Sequence, residues 1–162
     1  MQWLIGGGTM AEYSANAVQT VNPGESVVFT NTVEPCRRGF IKFREGSGNF
    51  LLSGWVPNFP GRPIRKAANY FVDFGANIAV PTGQTVGEIS VAVSLDGSTL
   101  PATSMIVTPA AVEEFFNVSR ATNIGVWTGC CETVTIRNTS SIPILVQNAN
   151  IVFTRPDLDV TY

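Results

Sequence analysis

The sequence predicts an all-β fold, arranged as a sandwich or a barrel. From Ala17 onward it is rich in Val, Ile, Thr and Phe, and turn-forming stretches such as NPGES and VPTGQT interrupt it at short intervals. The stretch EISVAVSL alternates strictly, with Ile89, Val91 and Val93 on one face and small residues on the other. Many short strands separated by regular turns are typical of sandwiches and barrels.

The same pattern locates the elements. Asp96-Gly97 predicts a hairpin turn, because both residues tolerate positive φ. TPAAVEEFF is the one helix-like start, with Thr108 as cap, and a single helical turn there is the alternative to an early strand. VPNFPGRPIRK predicts an irregular loop, because proline cannot serve a central strand. The predicted strands are 17–22, 26–32, 38–45, 49–55, 68–80, 88–95, 102–108, 113–127, 131–138 and 143–155.

Length and composition indicate one globular domain. The chain has 162 residues, 44% hydrophobic and 14% charged, and at this size packing alone can supply an adequate core. We expect the domain at 14–155, an N-terminal segment at 1–13 and a C-terminal tail at 156–162. IGGGTM back-translates to a purine-rich sequence resembling a bacterial ribosome-binding site, so we expect natural translation to start at Met10 in a bacterium or its virus.

Charge and hydropathy exclude several classes of partner. Ten basic and 12 acidic residues give a net charge of -2, which favours neither nucleic acid nor an anionic membrane. The basic residues of GRPIRK are interpreted as a solvated loop. No apolar run reaches the roughly 18 residues of a spanning helix, and MQWLIGGG lacks the features of a secretion signal. We therefore expect synthesis in the host cytoplasm without a signal peptide.

The cysteines do not form a recognisable metal or redox motif. Cys36, Cys130 and Cys131 lack C-x-x-C spacing. Buried free thiols are the first interpretation, and a disulfide from Cys36 to one of the adjacent pair is the alternative.

The last predicted strand carries large apolar residues on both faces. In PILVQNANIVFTR, Ile144, Val146 and Val152 fall on one face by strict alternation, whereas Leu145, Ile151 and Phe153 fall on the other. A β-bulge at 148–150 would return them to one face. Contact with a second subunit that covers the other face is the first interpretation, and the bulge is the alternative.

Enzymatic activity is not expected. The chain has no histidine, which removes the commonest general base and metal ligand. Glu113 and Glu114 would point to opposite faces of a strand, and no other carboxylates form a signature. IGGG and EGSG lack the features of phosphate loops. Asp157 and Asp159 lack calcium-loop spacing. No cofactor and no metal are predicted.

A ligand platform is the main alternative to simple packing for the aromatic residues near the proline-rich loop. Aromatic rings can stack on sugars, so the candidates for a carbohydrate or receptor site are Trp55, Phe59, Tyr70 and Trp127.

Several stretches carry a family resemblance. DGSTLPAT and ETVTIRNTSSIPILVQNANIVFTR resemble the closing hairpin and last two strands of bacterial collagen-like spore-surface glycoprotein heads, which share the trimeric jelly roll of complement-type and tumour-necrosis-factor-like domains. The chain lacks their collagen Gly-X-Y repeats. YSANAVQTV, FGANIAVPTG and MIVTPAAVEEFFNVS are similar to bacteriophage and prophage head-fibre or capsid-decoration proteins.

The resemblance implies a homotrimeric jelly-roll β-sandwich located in a virion. Its trimers would pack the strands nearest the three-fold axis through the face opposite the core, which places Val27, Phe29, Phe43 and Phe153 at the interface. The implied partners are the protein itself and the major capsid protein or another virion protein. The alternative function is a receptor-binding tip that recognises a host-surface glycan.

Overall fold

The computed structural model describes residues 9–58, 60–129 and 131–158 as two packed, six-stranded antiparallel sheets. The first sheet runs β10-β6-β12-β1-β3, with β2 also paired to β12. The second runs β4-β5-β11-β7-β8, with β9 also paired to β7. This confirms the predicted jelly-roll sandwich. The strands are β1 Met10–Ala15, β2 Gln19–Val21, β3 Asn31–Glu34, β4 Ile41–Lys42, β5 Phe50–Ser53, β6 Ala67–Ala79, β7 Ile89–Leu95, β8 Ser98–Thr99, β9 Met105–Val107, β10 Phe116–Trp127, β11 Cys131–Asn138 and β12 Ile144–Thr154.

Alternation along the long strands builds the core. In β6, Tyr70, Val72 and Phe74 are buried while Phe71 and Asp73 face outward. The strand pairs with β10 over most of its length and with β12 on its other side. Apolar residues at every second position therefore form one continuous layer between the sheets.

A β-bulge resolves the two-faced pattern of β12. The pairing with β6 shifts register between Gln147 and Asn150, and Asn148 has a φ of 52°. The extra residue changes the phase, so Ile144, Val146, Ile151 and Phe153 are all buried in one core. The bulge interpretation is confirmed. Leu145 and Val152 stay on the outer face, half-buried.

An aromatic cluster fills the core between β1, β5 and β12. The ring of Phe43 stacks on that of Phe50 at 4.6 Å, and Phe50 also contacts Phe29 at 5.3 Å and Phe153 at 4.9 Å. Tyr13 lies 4.6 Å from Phe43 and 5.0 Å from Phe50, measured between ring centroids. Edge-to-face and offset contacts of this kind add to the hydrophobic gain.

Three of the four predicted trimer-interface residues are therefore wrong, and the prediction for Phe43 stays untested. Val27, Phe29 and Phe153 have no exposed surface, and half-buried Phe43 packs its ring on the same cluster. Strict alternation failed twice, because β12 is bulged and because 26–30 is not a regular strand. That segment forms only isolated bridges at Ser26 and Phe29.

Other boundaries also differ from the prediction. TPAAVEEFF makes no helical turn; Glu113 has a φ of 57°, and its N–H donates to the Val80 carbonyl at 2.7 Å. Residues 101–103 form a 3₁₀ turn where a strand was expected. β1 was not predicted, and it pairs with β12 from Met10 onward. A second 3₁₀ turn at 156–158 contacts β6. The sandwich thus extends beyond 14–155 at both ends.

Candidate functional site

A groove crosses the outer face of the second sheet along β4 and β5. It consists of three adjoining cavities of about 390, 220 and 450 Å³. The first and second cavities share Gly39, Phe40 and Ser53, and the second and third share Lys42 and Leu51. The further lining residues are Arg38 and Trp55 in the first cavity, Cys131 in the second, and Phe43, Arg44, Ser47, Asn49 and Thr133 in the third.

Hydrogen bonds fix the floor of the groove. The Ser53 N–H donates to the Phe40 carbonyl at 2.9 Å, which joins β5 to the segment preceding β4. Below them, the hydroxyl of Tyr70 contacts the carbonyl oxygens of Phe40 and Ser53. The Ser53 hydroxyl accepts from the Trp55 N–H at 3.1 Å. The backbone that presents Trp55 is therefore held locally, and its side chain is 54% exposed.

A buried ion pair lies beneath this floor. The fully buried Arg155 guanidinium lies 5.3 Å from the ring centre of Phe40 and 4.9 Å from that of Tyr70. It donates to both carboxylate oxygens of Asp157, at 2.9 and 2.8 Å. Asp157 also accepts from the Asn69 N–H at 3.2 Å. Paired charges of this kind are tolerated in the interior because each compensates the other, although Nη1 of Arg155 is buried without a hydrogen-bond partner among the described residues.

The surroundings shift the pKa of three groups in this region. Burial alone would raise the pKa of the Asp157 carboxyl, but the hydrogen bonds from Arg155 and Asn69 outweigh it and hold that pKa below its usual value. Burial also opposes the charge on Arg155, yet Asp157 raises the net pKa of the guanidinium. Burial raises the pKa of Tyr70 to about 12, despite the opposing charge of Arg155.

The four predicted platform residues do not form one platform. Trp55 lines the groove. Tyr70 is fully buried below it, so the prediction of a stacking role for Tyr70 is wrong. Trp127 is 64% exposed at the end of β10 in the other sheet and does not line the groove. Phe59 lies outside the described residues.

The structure does not contain the alternative disulfide from Cys36. Cys36 is a free thiol, half-buried against the core, which agrees with its interpretation as a small hydrophobe. Cys131 is exposed at the groove rather than buried. Cys130 lies outside the described residues.

The outer face of the first sheet is a second broad surface. Register places Phe71 beside Asn123 and Thr154, and Gly75 beside Ser119 and Asn150. The exposed or half-buried positions of this face include Glu12, Phe71, Asp73, Gly75, Ser119, Ala121, Asn123, Asn150, Val152 and Thr154. They are small, amide or apolar apart from the two carboxylates.

Neither surface offers a metal centre within the described ranges, where no group of three or more His, Cys, Asp or Glu side chains is suitably placed. Among the same residues, no helix is both long and apolar enough to span a bilayer.

The cationic lining of the groove was missed at the level of sequence. Arg38, Lys42 and Arg44 come from the run RRGFIKFR, which is as rich in positive charge as GRPIRK and longer. The basic residues were visible in the sequence, but the sequence did not show which of their side chains lie on the same face.

No described protein family and no curated protein sequence matches this chain. Several solved structures share its fold. The globular domain of a zebrafish complement 1qA protein is 13% identical, with a TM-score of 0.58 over 90% of this chain and 93% of that one. The Eiger tumour necrosis factor of S. frugiperda is 9% identical, with a TM-score of 0.64 over 91% of each chain. Murine APRIL is 11% identical, with a TM-score of 0.57 over 91% of this chain and 98% of that one. At these identities the likeness establishes a shared complement 1q and tumour-necrosis-factor jelly roll, and nothing about function.

Proposed function

We propose that the protein is a non-enzymatic structural protein of a bacteriophage virion, a homotrimer that decorates the capsid or forms the head of a short fibre. The phage assignment rests on the sequence resemblance described above. The observation that supports trimer formation is that the outer face of the first sheet and the edge of β10 are both available for contact. The anchoring partner would be the major capsid protein or another virion protein.

The outer face is suited to close packing. Gly75, Ser119 and Ala121 leave room for an approaching backbone, while Phe71 is 39% exposed and supplies apolar area. Asp73 is the exposed charge at the centre of this face, where it lies beside Ala121 and Val152, and the small and apolar residues around it are of the kind that pack closely in protein interfaces.

The edge strand gives an independent reason for association. β10 spans 12 residues and pairs only with β6 among the described strands. A long unpaired edge promotes aggregation unless something covers it. Phe116 at the start of β10 and Ile106 of the neighbouring β9 are also exposed, at 39% and 56%.

An edge that packs on a flat face is a heterologous contact, because two different surfaces meet. Such contacts either close into a ring or grow into a filament. A closed ring of three covers each β10 edge and each outer face of the first sheet once, which agrees with the trimer implied by the resemblance.

Light scattering coupled to size-exclusion chromatography tests the assembly. We expect a mass three times that of the 17.4 kDa chain. Ala121→Arg should reduce it toward the monomer, because the new charge would be buried in the contact. Thr82→Arg, which adds the same charge to an exposed turn, is the matched control. A monomeric wild type, or equal behaviour of the two variants, would contradict the proposed interface.

Mass spectrometry of gradient-purified phage particles tests the virion assignment. We expect the protein to co-purify at a fixed ratio to the major capsid protein, and labelled trimer to rebind particles stripped of it. Absence from particles of a phage whose genome encodes it would reject this part of the proposal while leaving the trimer intact.

A glycan-binding role is the second candidate, and the exposed Trp55 ring in the groove is the observation that favours it. We expect binding to a glycan array that is lost in Trp55→Ala but kept in Trp127→Ala, which removes another exposed tryptophan outside the groove. Loss in both variants or in neither would argue against the groove.

A further inference from the structure

The groove beside Trp55 concentrates positive charge in a protein that is negative overall. Arg38 lines the first cavity, Lys42 lines the second and third, and Arg44 lines the third. All three residues are exposed. Among the residues that the structure describes, no acidic side chain lines any of the three cavities, although the chain carries a net charge of -2.

These cations are also unpaired within the described part of the chain. The ion pairs found there use other arginines: Arg37 pairs with Glu34, whereas Arg65 and Arg155 share Asp157. Three unpaired cations lining one continuous groove produce a local positive potential, and concave surfaces focus such potentials.

The remaining lining provides neutral contacts. At one end of the groove is the exposed ring of Trp55, which can stack on the apolar face of a sugar. At the other end are Ser47, Asn49 and Thr133, whose side chains can exchange hydrogen bonds with hydroxyl groups. The floor between the ends is fixed by the Tyr70 contacts and the buried pair below it.

We propose that this groove binds a carboxylated oligosaccharide, a segment of an acidic polysaccharide, with one sugar ring on Trp55 and its carboxylates facing Arg38, Lys42 and Arg44. This deepens the second candidate function and rests on it. Three joined cavities accept an elongated chain. A single exposed aromatic residue suits a sugar polymer better than single-stranded nucleic acid, whose sequence-tolerant sites stack successive bases on several aromatic rings.

Calorimetric titration with matched ligands tests the proposal. The probes are trigalacturonate and a hyaluronan hexasaccharide, each compared with its methyl ester, which removes the charge and keeps the sugar. We expect both acids to bind at least tenfold more tightly than their esters. The difference should shrink as salt is raised, because exposed charges are screened.

Double variants test whether the cations that bind the acidic ligands are those of the groove. Lys42→Ala combined with Arg44→Ala should weaken binding of the acids at least tenfold and leave binding of the esters unchanged. Arg62→Ala combined with Lys66→Ala removes the same charge from the proline-rich loop outside the groove and is the control. Trp55→Ala should weaken acids and esters alike. Near-ultraviolet circular dichroism checks that each variant is folded.

The outcomes separate the two proposals. Equal binding of acids and esters, with loss in Trp55→Ala, would keep glycan binding and overturn charge recognition. No binding of either acid at millimolar concentration would overturn the inference, and the trimer would stand on its own measurement. Tighter binding of an oligothymidylate of equal charge would reassign the groove to nucleic acid.

Discussion

Arg155 and Asp157, separated only by Pro156, form a bidentate ion pair at 2.9 and 2.8 Å, and their side chains are 0% and 4% exposed. Arg65 adds a hydrogen bond of 3.0 Å to the Asp157 carbonyl. The pair therefore ties the end of β12 and the following 3₁₀ turn to the start of β6, directly below the groove.

Asp157→Asn should destabilise the fold by about 3 kcal/mol, because removing one partner leaves a buried cation without its counter-charge. Chemical denaturation followed by fluorescence measures the change. Glu88→Gln, at an exposed carboxylate, should change the free energy of unfolding by less than about 0.5 kcal/mol. A similar effect of both variants would show that the pair contributes nothing specific.

Acid should remove the same stabilisation. Because the pKa of Asp157 is lowered in the folded state, its contribution is fully present above the unfolded carboxyl pKa and is lost as pH falls through the lower folded value. Denaturation curves from pH 6 down to pH 2 should show this loss in the wild type. The Asp157→Asn variant should show a shallower acid dependence, and a slope equal to that of the wild type would contradict the assignment.

Alkali should destabilise the protein through two tyrosines. Burial raises the pKa of Tyr13 and of Tyr70 to about 12, above the usual value near 10. Their protonated forms are favoured in the folded state, so stability present below pH 10 is lost as pH rises toward 12. Spectrophotometric titration should show that at least two of the three tyrosines do not ionise near pH 10 before the protein unfolds. Normal titration of all three in the folded protein would refute this.

The bulge in β12 should depend on its left-handed residue. Asn148→Val should cost about 1–2 kcal/mol of unfolding free energy, because a β-branched residue is strained at a φ of 52°. Asn148→Gly should be nearly neutral, since glycine adopts positive φ without strain. Urea denaturation compares the two variants, and an equal loss in both would mean that the Asn148 side chain matters rather than its backbone.

The sequence predicted a strand accurately where the alternation of apolar and polar residues within that strand was sufficient to define it. The alternation of EISVAVSL gave β7 almost to the residue, and β11 at 131–138 was predicted with the observed bounds. The prediction was inaccurate at 26–30, where isolated backbone hydrogen bonds and side-chain hydrogen bonds hold the chain in place of a continuous ladder. There the Gln19 side-chain amide bonds both the carbonyl and the N–H of Val28, at 2.8 and 2.9 Å, and so replaces a neighbouring strand. This contact joins two residues nine positions apart and produces no periodic pattern in the sequence.

The candidate site was predicted only in part for the same reason. Trp55 was identified because it is one of the aromatic residues that flank the proline-rich loop. Tyr70 was wrongly grouped with Trp55. The sequence of one strand does not show that the Tyr70 side chain is buried against the ion pair of Arg155 and Asp157. Arg38, Lys42 and Arg44 were visible as charges, but their common groove was not.

By itself the sequence determined the all-β class, the turns and the phase of each regular strand, because these depend on side-chain size and polarity at neighbouring positions. Only the tertiary structure decided which face is core in β12, where a bulge of one residue inverts the pattern. It also decided which charges are paired, as with Arg155 and Asp157, and which line a shared groove. Those properties arise from contacts between residues far apart in the chain, and periodicity carries no information about them.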